Sequence, residues 1–423
     1  MSGNENPLRI EPPAWMAAPG TLDVLDALTA GGVEARFVGG AVRDALLDEP
    51  NAGSRSRADI DIATPAPPER VIELLERRRI KTVPTGIAHG TVTAITGTPP
   101  QHFEITTLRR DVETYGRRAR VAFDADWPAD AARRDFTINA IFLDRDGTVH
   151  DPVGGLADLR AHRVRFVGDP ATRIAEDVLR ILRYYRFEAR FGAGLGDPQA
   201  RVACRAMANL LPNLSNERVA QELVRLLEAA DPVRALRMMM DDGVLSVVLP
   251  EPRRLDRLQH LIAIDPEADP LRRLAALIDV DGAGAVALAE RLRFSTAWRD
   301  RLQGLAPPWG SDPADDISGQ RRALYRCGTE RYRDIALLLA AEGAMSRDRL
   351  AKLLALACDW TPPVFPLAGR DVTALGIPPG PHVGRLLDMM RAWWEAGDFT
   401  ADYPACLAQL RKLAATITNQ PHA

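Results

Sequence analysis

Apolar and polar positions follow two different periods along this chain. Up to about residue 165, short segments that alternate apolar and polar residues are interspersed with segments of helical spacing. From about residue 170 onward the apolar positions keep a helical spacing to the end of the chain. We therefore predict an α+β fold, in which a mixed sheet with helices is followed by an all-helical remainder.

The first part of the chain divides into helices, strands and one long loop. Helices are predicted over 21–30 and 67–79, and strands over 34–38, 58–64, 90–96, 102–108, 141–144 and 148–150. The strands 90–96 and 102–108 are joined by a Gly-Thr-Pro-Pro turn and form a hairpin. The segment 109–132 is charged and poor in apolar residues, so we predict a mobile loop there.

The strand 58–64 carries the first candidate site. Its residues alternate, so Asp59 and Asp61 point to the same face. Two carboxylates side by side repel each other unless a cation lies between them, and magnesium favours such pairs together with substrate phosphates. The alternative is an exposed edge strand with a solvated polar face.

A double glycine, Gly39-Gly40, lies between the strand 34–38 and a helix. Such a turn lets the backbone approach a ligand, and the helix N-terminus offers N–H groups to a phosphate. Arg43 lies in the first turn, close to that anion. The alternative is a purely structural turn.

The strand 102–108 offers a third carboxylate. His102, Glu104 and Thr106 share one face by strand parity, which predicts that Glu104 lies next to Asp59 and Asp61. The doublet His150-Asp151 has no other histidine nearby at helical spacing, and we interpret it as structural.

One helix is predicted over 174–191, and its charged residues are Glu176, Asp177, Arg180, Arg183 and Arg186. Steps of three residues place Asp177, Arg180 and Arg183 along one face. A surface ladder of ion pairs is the alternative to a binding face. Further on, Ser215 is predicted to cap a helix over 217–228, and Pro232 to start the next one.

The C-terminal part is also predicted to be helical. Helices continue to about 304, a loop covers 306–319, and two more helices follow. A Gly/Pro-rich loop over 376–384 then leads into a helix and is a candidate cradle for a nucleic-acid backbone. The alternative is a tight connector between helices.

Length, composition and charge narrow the class of protein. With 423 residues, two to four domains are expected. No run of 18 apolar residues exists and the N-terminus has no signal-peptide pattern, so we predict no membrane partner. Four dispersed cysteines fit a reducing cytoplasm. The net charge of −3 excludes a global basic field, so a nucleic acid would need a local basic patch.

Five motifs occur in a fixed order. They are Gly39-Gly40-x-x-Arg43-Asp44, Asp59-x-Asp61, Arg133-Arg134-Asp135-Phe136-Thr137-Ile138-Asn139-Ala140, Asp151-Pro-x-Gly154-Gly155-x-x-Asp158-Leu159 and Glu176-Asp177-x-x-Arg180. In this combination the chain resembles the class II tRNA nucleotidyltransferase and poly(A) polymerase family, most strongly over residues 30–230. The stretch 369–384 also resembles the tail of bacterial CCA-adding enzymes. One departure is a longer connection between the double glycine and the aspartates.

The resemblance implies a domain order. A lead-in over 1–20 precedes a polymerase β-like nucleotidyltransferase head over 21–165. A neck for base recognition over 166–230, a helical body over 231–305 and a tRNA-binding tail over 306–423 follow.

The resemblance also implies the reaction. The tRNA 3′ hydroxyl attacks the α-phosphate of CTP or ATP, and pyrophosphate is released. Two magnesium ions would be held by Asp59 and Asp61, with Glu104 added from strand parity. The triphosphate would lie on Gly39, Gly40 and Arg43, and Asp177 and Arg180 would select the base. The nucleotide site implied by the motifs further includes Arg133, Arg134, Asp135, Asn139, Glu176, Arg183 and Arg186.

Several alternatives remain open at the level of sequence. A bacterial poly(A) polymerase has a similar head but carries a basic stretch where this chain has Pro84-Thr85-Gly86-Ile87-Ala88-His89-Gly90. Enzymes that add only the two Cs or only the final A share the motifs. A catalytically silent RNA-binding protein is the alternative of another class. No obligate protein partner is inferred.

Overall fold

The computed structural model of the protein describes residues 8–47, 60–87, 90–115, 118–123, 125–307 and 316–418. Asp59 therefore lies outside the described residues. The chain separates into two compact units, Met1–Pro250 and Glu251–Ala423. The finer division into head, neck, body and tail stays a prediction.

The first unit contains a mixed sheet, as predicted. Its strands are β1 (Arg36–Val38), β2 (Ile60–Thr64), β3 (Lys81–Gly86), β4 (Thr91–Thr96), β5 (Gln101–Thr107), β8 (Phe142–Leu143) and β9 (Val149–His150). They lie in the order β3-β4-β5-β2-β1-β8-β9. Only β2 and β5 pair in parallel, and every other neighbouring pair is antiparallel. The predicted hairpins β4–β5 and β8–β9 are both confirmed.

The prediction of a mobile loop over 109–132 is wrong. Strands β6 (Arg109–Tyr115) and β7 (Arg118–Phe123) form a separate antiparallel ribbon, and a helix, α4 (Trp127–Ala132), follows. In this segment charged residues alternate with β-branched and aromatic residues, which favour strands. The high charge concealed that alternation. Strand β3 was also missed, because it contains Pro84. An edge strand tolerates a proline, and β3 is the edge of its sheet.

The first unit contains helices before, between and after its strands. They are α1 (Pro19–Thr29), α2 (Gly40–Leu46), α3 (Pro68–Arg77), α4, α5 (Gly155–Arg160), α6 (Pro170–Glu176), α7 (Arg180–Phe191), α8 (Pro198–Met207), α9 (Asn216–Leu227), α10 (Pro232–Asp241) and α11 (Val244–Val248). Short 3-10 helices cover Ala14–Ala17, Thr137–Asn139 and Ala208–Asn213. Ser215 occupies the N-cap position of α9, but its side chain makes no capping hydrogen bond.

The single helix predicted over 174–191 is wrong. Helix α6 ends at Glu176 and α7 begins at Arg180, because Asp177 adopts an extended backbone with φ −151° and ψ 106°. Its carboxylate oxygen Oδ1 accepts from the backbone N–H of Leu179 at 3.2 Å. A short acidic side chain can compete in this way for backbone N–H groups and interrupt a helix. Asp177 and Arg180 therefore do not share a helical face.

An aromatic cluster joins α7 to the segment after the sheet. The ring of Phe136 lies 5.0 Å from that of Phe187, and Phe166 stacks on Tyr184 at 5.8 Å. Phe136 and Phe166 also form an isolated β-bridge. This packing fixes the position of α7 relative to residues 136–139.

In its described residues, the second unit contains helices and no named strand. Its helices are α12 (Leu255–Ile264), α13 (Pro270–Leu277), α14 (Gly282–Arg291), α15 (Thr296–Leu305), α16 (Ile317–Cys327), α17 (Thr329–Ala341), α18 (Arg347–Asp359), α19 (Gly369–Thr373), α20 (Pro381–Ala396) and α21 (Tyr403–Thr418). Three helices, α16 to α18, stand where two were predicted. Helix α16 begins within the loop predicted over 306–319, and residues 308–315 lie outside the described part. Helix α20 begins at Pro381, inside the loop predicted over 376–384, because a proline is well tolerated in the first turn of a helix. In the described ranges, no helix is long and apolar enough to cross a membrane.

Candidate active site

The double-glycine turn lies directly against Asp61. Gly39 has φ 77°, a conformation that side chains rarely adopt, and it precedes the first residue of α2. A Cβ placed on Gly39 would lie 2.7 Å from Asp61 Oδ2. The carboxylate and the N-terminus of α2 therefore meet at one point, and glycine is required there for two independent reasons.

Asp61 and Glu104 lie side by side in the sheet. They are register partners on the parallel strands β2 and β5, so their side chains point to the same face. Strand parity alone led to this expectation, and the pairing of β2 with β5 supports it. Within the described ranges no three His, Cys, Asp or Glu side chains form a metal-binding group. Because Asp59 lies outside those ranges, the complete predicted set stays a prediction.

Arg43 is buried beside the glycine turn, and each of its three guanidinium nitrogens donates to a protein group. Its Nε and Nη2 donate to Asp44 Oδ1 at 2.8 and 2.7 Å, and its Nη1 donates to Asn139 Oδ1 at 2.7 Å. Its guanidinium carbon lies 4.1 Å from the ring centre of Phe191. Burial lowers the pKa of this guanidinium, with Asp44 opposing that shift. Arg43 is thus a fixed charge at the N-terminus of α2.

Asp135 forms the next contact of this network. Its Oδ1 accepts from Asn139 Nδ2 at 3.1 Å and from the backbone N–H of Phe136 at 2.8 Å, and its Oδ2 accepts from Arg183 Nε at 2.9 Å. Burial opposes ionisation of this carboxyl, but the Arg183 charge and these hydrogen bonds outweigh it and lower the pKa to about 2. Asp135 is therefore ionised at neutral pH.

Two arginines of α7 share a buried carboxylate on α9. Arg186 Nε donates to Glu222 Oε2 at 2.5 Å, and Arg183 Nη1 lies 4.0 Å from Glu222 Oε1. The Asp135 charge raises the pKa of Arg183, whereas burial lowers that of Arg186. The sequence predicted contacts of both arginines with phosphate or nucleotide. In the structure both are held by carboxylates of the protein.

Asp177 and Arg180 are held by different partners. Arg218 Nη2 of α9 donates to Asp177 Oδ2 at 2.7 Å. Arg180 Nη1 donates to Glu176 and to the carbonyl oxygen of Arg173, the latter at 2.7 Å. Both side chains are oriented by neighbours, and each still exposes part of its surface.

Arg133 and Arg134 are anchored together by one buried residue. Asp130 accepts from Arg133 Nε at 2.8 Å and from Arg134 Nη2 at 2.9 Å. Asp130 itself is 1 % exposed. Burial lowers the pKa of Arg133, and Asp130 opposes that shift. The carbonyl oxygen of Arg133 lies 3.4 Å from Arg180 Nη2, which links this pair to α7.

The motif around Asp158 supports the segment that carries Asn139. Asp158 Oδ2 accepts from the hydroxyl of Thr137 at 2.6 Å and from Arg165 Nε at 2.8 Å. A Cβ on Gly155 would lie 2.0 Å from the carbonyl oxygen of Thr137, so only glycine fits there. The motif therefore acts as a brace for the turn over residues 137–139.

The doublet His150-Asp151 makes structural contacts. His150 Nε2 lies 2.6 Å from Asp144 Oδ2. Asp151 accepts from the backbone N–H groups of Gly155 and Leu156, both at 2.8 Å, at the start of α5. These contacts agree with the structural interpretation of the doublet.

Sequence reasoning missed Arg218, Glu222 and Asp130. Arg218 and Glu222 lie on α9 at an ordinary amphipathic spacing, and their partners are 41 and 36 residues away in the chain. Only Asp130 had a local signal, since Arg133 and Arg134 follow it at helical spacing.

Comparison with known proteins gives family matches over most of the first unit. The family "Poly A polymerase head domain" matches residues 35–165, and "Probable RNA and SrmB- binding site of polymerase A" matches residues 197–255. The human CCA tRNA nucleotidyltransferase 1, mitochondrial, is 33% identical over 399 residues, which cover 90% of this chain and 87% of the relative. A CCA-adding enzyme of Levilactobacillus brevis is 31% identical over 401 residues, 91% of this chain and 95% of the relative.

A solved structure extends the likeness to the whole chain. The crystal structure of the Bacillus stearothermophilus CCA-adding enzyme in complex with CTP matches with a TM-score of 0.77 and 27% sequence identity. The match covers 97% of this chain and 99% of that one.

Proposed function

The chain belongs to the tRNA nucleotidyltransferase and poly(A) polymerase family, and from this we propose that it adds C, C and A to the 3′ end of tRNA. The substrates are CTP and ATP, and no nucleic-acid template is used. The observation that carries this proposal is the contact between the Gly39 turn and the Asp61 carboxylate at the N-terminus of α2. In this proposal the Gly39 turn binds the triphosphate and Asp61 binds the metal, so the two groups lie side by side.

The proposed reaction is a single displacement at phosphorus. The tRNA 3′ hydroxyl loses its proton to solvent and its oxygen forms a bond to the α-phosphorus. The bond from that phosphorus to the bridging oxygen of the β-phosphate breaks, and pyrophosphate leaves. Backbone N–H groups at Gly39 and Gly40 donate to the triphosphate. Arg43, with its guanidinium fixed by Asp44 and Asn139, supports this binding through its charge and by holding the turn in place.

The acidic residues fit divalent magnesium. Asp61 and Glu104 present carboxylate oxygens from neighbouring strands on one face, which is the donor type that magnesium prefers. Asp59 and Asp61 would hold two ions, and Glu104 is the candidate for a third carboxylate. When bound, the metal stabilises charge on the attacking and leaving oxygens and lowers the pKa of the attacking hydroxyl.

Base selection is assigned to Asp177 and Arg180. A carboxylate accepts a hydrogen bond from the exocyclic amino group of C or A, and an arginine donates to the neighbouring ring acceptors. G and U present an acceptor in place of that amino group. The Asp177–Arg218 and Arg180–Glu176 contacts support this role, because each orients a side chain that must read a base without a template.

The RNA is proposed to bind by local positive charge. The net charge of −3 leaves no global basic field, so phosphate contacts must come from a local group of arginines. We assign these contacts to the helical second unit, including the Gly376–Gly384 stretch at the start of α20. Neither a membrane nor an obligate protein partner enters the proposal.

One experiment separates this function from its alternatives. The purified protein is incubated with magnesium, with tRNA that ends before C, CC or CCA, and with each labelled NTP singly and in mixtures. We expect two additions from CTP, one further addition from ATP, and then a stop. Long A tracts from ATP alone would identify a poly(A) polymerase. Addition restricted to C or to A would identify a partial enzyme.

Binding of tRNA without any addition would instead overturn the proposal and favour the silent RNA-binding protein. Asp61→Asn is the matched inactive control, because it keeps the size of the side chain and removes its charge.

A further inference from the structure

The side-chain amide of Asn139 bridges a cation and an anion inside the first unit. Its Oδ1 accepts from Arg43 Nη1 at 2.7 Å, and its Nδ2 donates to Asp135 Oδ1 at 3.1 Å. A guanidinium offers only donors and an ionised carboxylate only acceptors. A primary amide supplies both kinds of group on one short side chain, and Asn139, which is 8 % exposed, is shielded from solvent that could replace it.

Each end of this bridge leads to a different part of the site. Arg43 lies on α2, and its Nη2 lies 3.5 Å from where a Cβ on Gly40 would be, so it reaches the glycine turn. Asp135 binds Arg183, one helical turn beyond Arg180 on α7. Arg43, Asn139, Asp135 and Arg183 thus form one continuous chain of charge-assisted hydrogen bonds.

We propose that Asn139 is a positioning residue that keeps α2 and α7 in fixed register. In the proposed function the triphosphate lies at the N-terminus of α2, and the base is read at the start of α7. The distance between these two helices therefore sets the position of the α-phosphorus. The Asn139 bridge keeps the distance between α2 and α7 the same whichever nucleotide is bound. This inference rests on the proposed function and assigns a role to a residue that touches neither the base nor the phosphorus.

Other contacts also join α2 and α7, but among the described residues none of them is a buried hydrogen bond. Arg190 Nη2 on α7 donates to Asp44 Oδ2 on α2 at 3.2 Å, and this arginine is 49 % exposed, so the pair is screened by water and contributes little. Arg43 lies over the Phe191 ring at 4.1 Å and the Phe187 ring at 5.4 Å, and such stacking allows sliding.

The brace formed by Asp158 holds the backbone of residues 137–139 independently of the Asn139 amide. Loss of the amide therefore leaves the fold in place and removes the buried hydrogen-bonded link between α2 and α7, so that only the exposed Arg190–Asp44 pair and ring stacking are left among the described contacts.

The test compares Asn139→Leu with the parent protein. Leucine keeps the number and branching of the side-chain heavy atoms and removes both hydrogen bonds. Affinity for CTP is measured without tRNA, and the rate of one C addition is measured in single turnover on tRNA that lacks its 3′ end. We expect CTP affinity within about threefold of the parent and a rate about 10–100-fold lower, because small misplacements of reacting groups cost rates of that order.

The matched control is Thr107→Val, which removes a buried hydrogen bond from the Thr107 hydroxyl to the Ala66 carbonyl oxygen at 2.8 Å. Thr107 points to the sheet face opposite to Glu104, so the control is expected to lower thermal stability and leave the rate unchanged. Asn139→Asp is the second variant, in case leucine is not tolerated. It keeps the acceptor for Arg43 and places a carboxylate against Asp135, and the same selective loss of rate is expected.

A double variant tests whether Asn139 and Asp135 act in one chain. Each of the two substitutions interrupts the same chain of hydrogen bonds. The double variant Asn139→Leu with Asp135→Asn should therefore add C no more slowly than the slower single variant. A parental rate in folded Asn139 variants, an equal rate loss in Thr107→Val, or multiplicative losses in the double variant would each overturn the inference. If the parent itself adds no C to tRNA, the proposed function fails instead.

Discussion

Arg218 Nη2 lies 2.7 Å from Asp177 Oδ2, although 41 residues separate them in the chain. The carboxylate proposed to read the base is therefore oriented from α9 and lies in the break between α6 and α7. Arg180 is oriented separately, by Glu176 at the end of α6. Two independent contacts thus orient Asp177, the proposed hydrogen-bond acceptor for the base, and Arg180, the proposed donor.

The first prediction concerns Asp61. Asp61→Ala removes a carboxylate at the glycine turn, and we expect nucleotide addition to fall below detection while tRNA affinity changes less than about threefold. Single-turnover addition and tRNA binding are measured at the same magnesium concentration. Asp241→Ala, at an exposed site on α10, is the control and should behave as the parent. Near-normal turnover of a folded Asp61 variant would refute the metal assignment.

The second prediction concerns base choice. Asp177→Ala removes the acceptor for an amino group, so discrimination against UTP and GTP should fall by about 1–3 kcal/mol. Arg180→Ala should weaken the use of CTP and ATP together, because both bases lose a donor to a ring acceptor. Catalytic efficiency is measured for all four NTPs, with circular dichroism to check folding. If folded Asp177→Ala rejects UTP and GTP as strictly as the parent, its ion pair is only structural.

The third prediction concerns salt. Binding of tRNA should weaken with salt, and the logarithm of affinity should fall by about 0.9 per phosphate contact for each unit of log salt concentration in duplex regions. Arg385 is exposed near the start of α20, which begins at Pro381 within the Gly376–Gly384 stretch. Arg385→Ala should reduce the slope by about one. Glu330→Ala serves as the control, and an unchanged slope in Arg385→Ala would exclude this arginine from the interface.

The fourth prediction concerns pH and Glu188. This carboxyl on α7 is 1 % exposed, and its Oε2 has no hydrogen-bond partner in the described structure. Burial raises its pKa from 4.5 to about 7. The folded state thus binds the proton more tightly, and its contribution to stability is full below pH 4.5 and is lost as pH rises toward 7. The loss is about 3 kcal/mol, since each unit of pKa shift corresponds to about 1.4 kcal/mol.

Glu188→Gln removes this titration and is measured by denaturant unfolding between pH 5 and 8. The parent should lose free energy of unfolding across that range relative to the variant. Glu228→Gln, at an exposed position after α9, is the control and should follow the parent. Parallel curves for the parent and Glu188→Gln would contradict the assignment.

The fifth prediction concerns a buried ion network in the second unit. Asp334 on α17 accepts from Arg272 Nε at 2.7 Å and from Arg301 Nη2 at 2.8 Å, and none of it is exposed. Asp334→Ala leaves two arginines without this partner and should cost about 3–5 kcal/mol of unfolding free energy. Glu330→Ala removes an exposed partner of the same Arg301 and should cost at most about 1 kcal/mol. Equal losses of unfolding free energy in the two variants would show that burial does not increase the contribution of this network to stability.

Local patterns predicted most elements of the fold correctly. Alternation and turn chemistry placed the hairpin β4–β5 and the strand of Asp61, and helical spacing placed α1, α3, α9 and α10. These features depend on neighbours a few residues apart, which is the range over which propensity and periodicity act. The errors at 109–132 and at Asp177 arose where local charge concealed strand alternation and where an acidic side chain competed for the helical N–H groups.

By itself, the sequence determined the order of elements, the acidic strand after a double glycine, and the motifs that place the chain in its family. The tertiary structure alone decided which charges meet. Arg43, Asn139, Asp135 and Arg183 come together from three separate segments, and Arg218 reaches Asp177 from α9. Such pairs leave no periodic signal, because an arginine and a carboxylate far apart in the chain become neighbours only when packing of the sheet and helices brings them within hydrogen-bond distance.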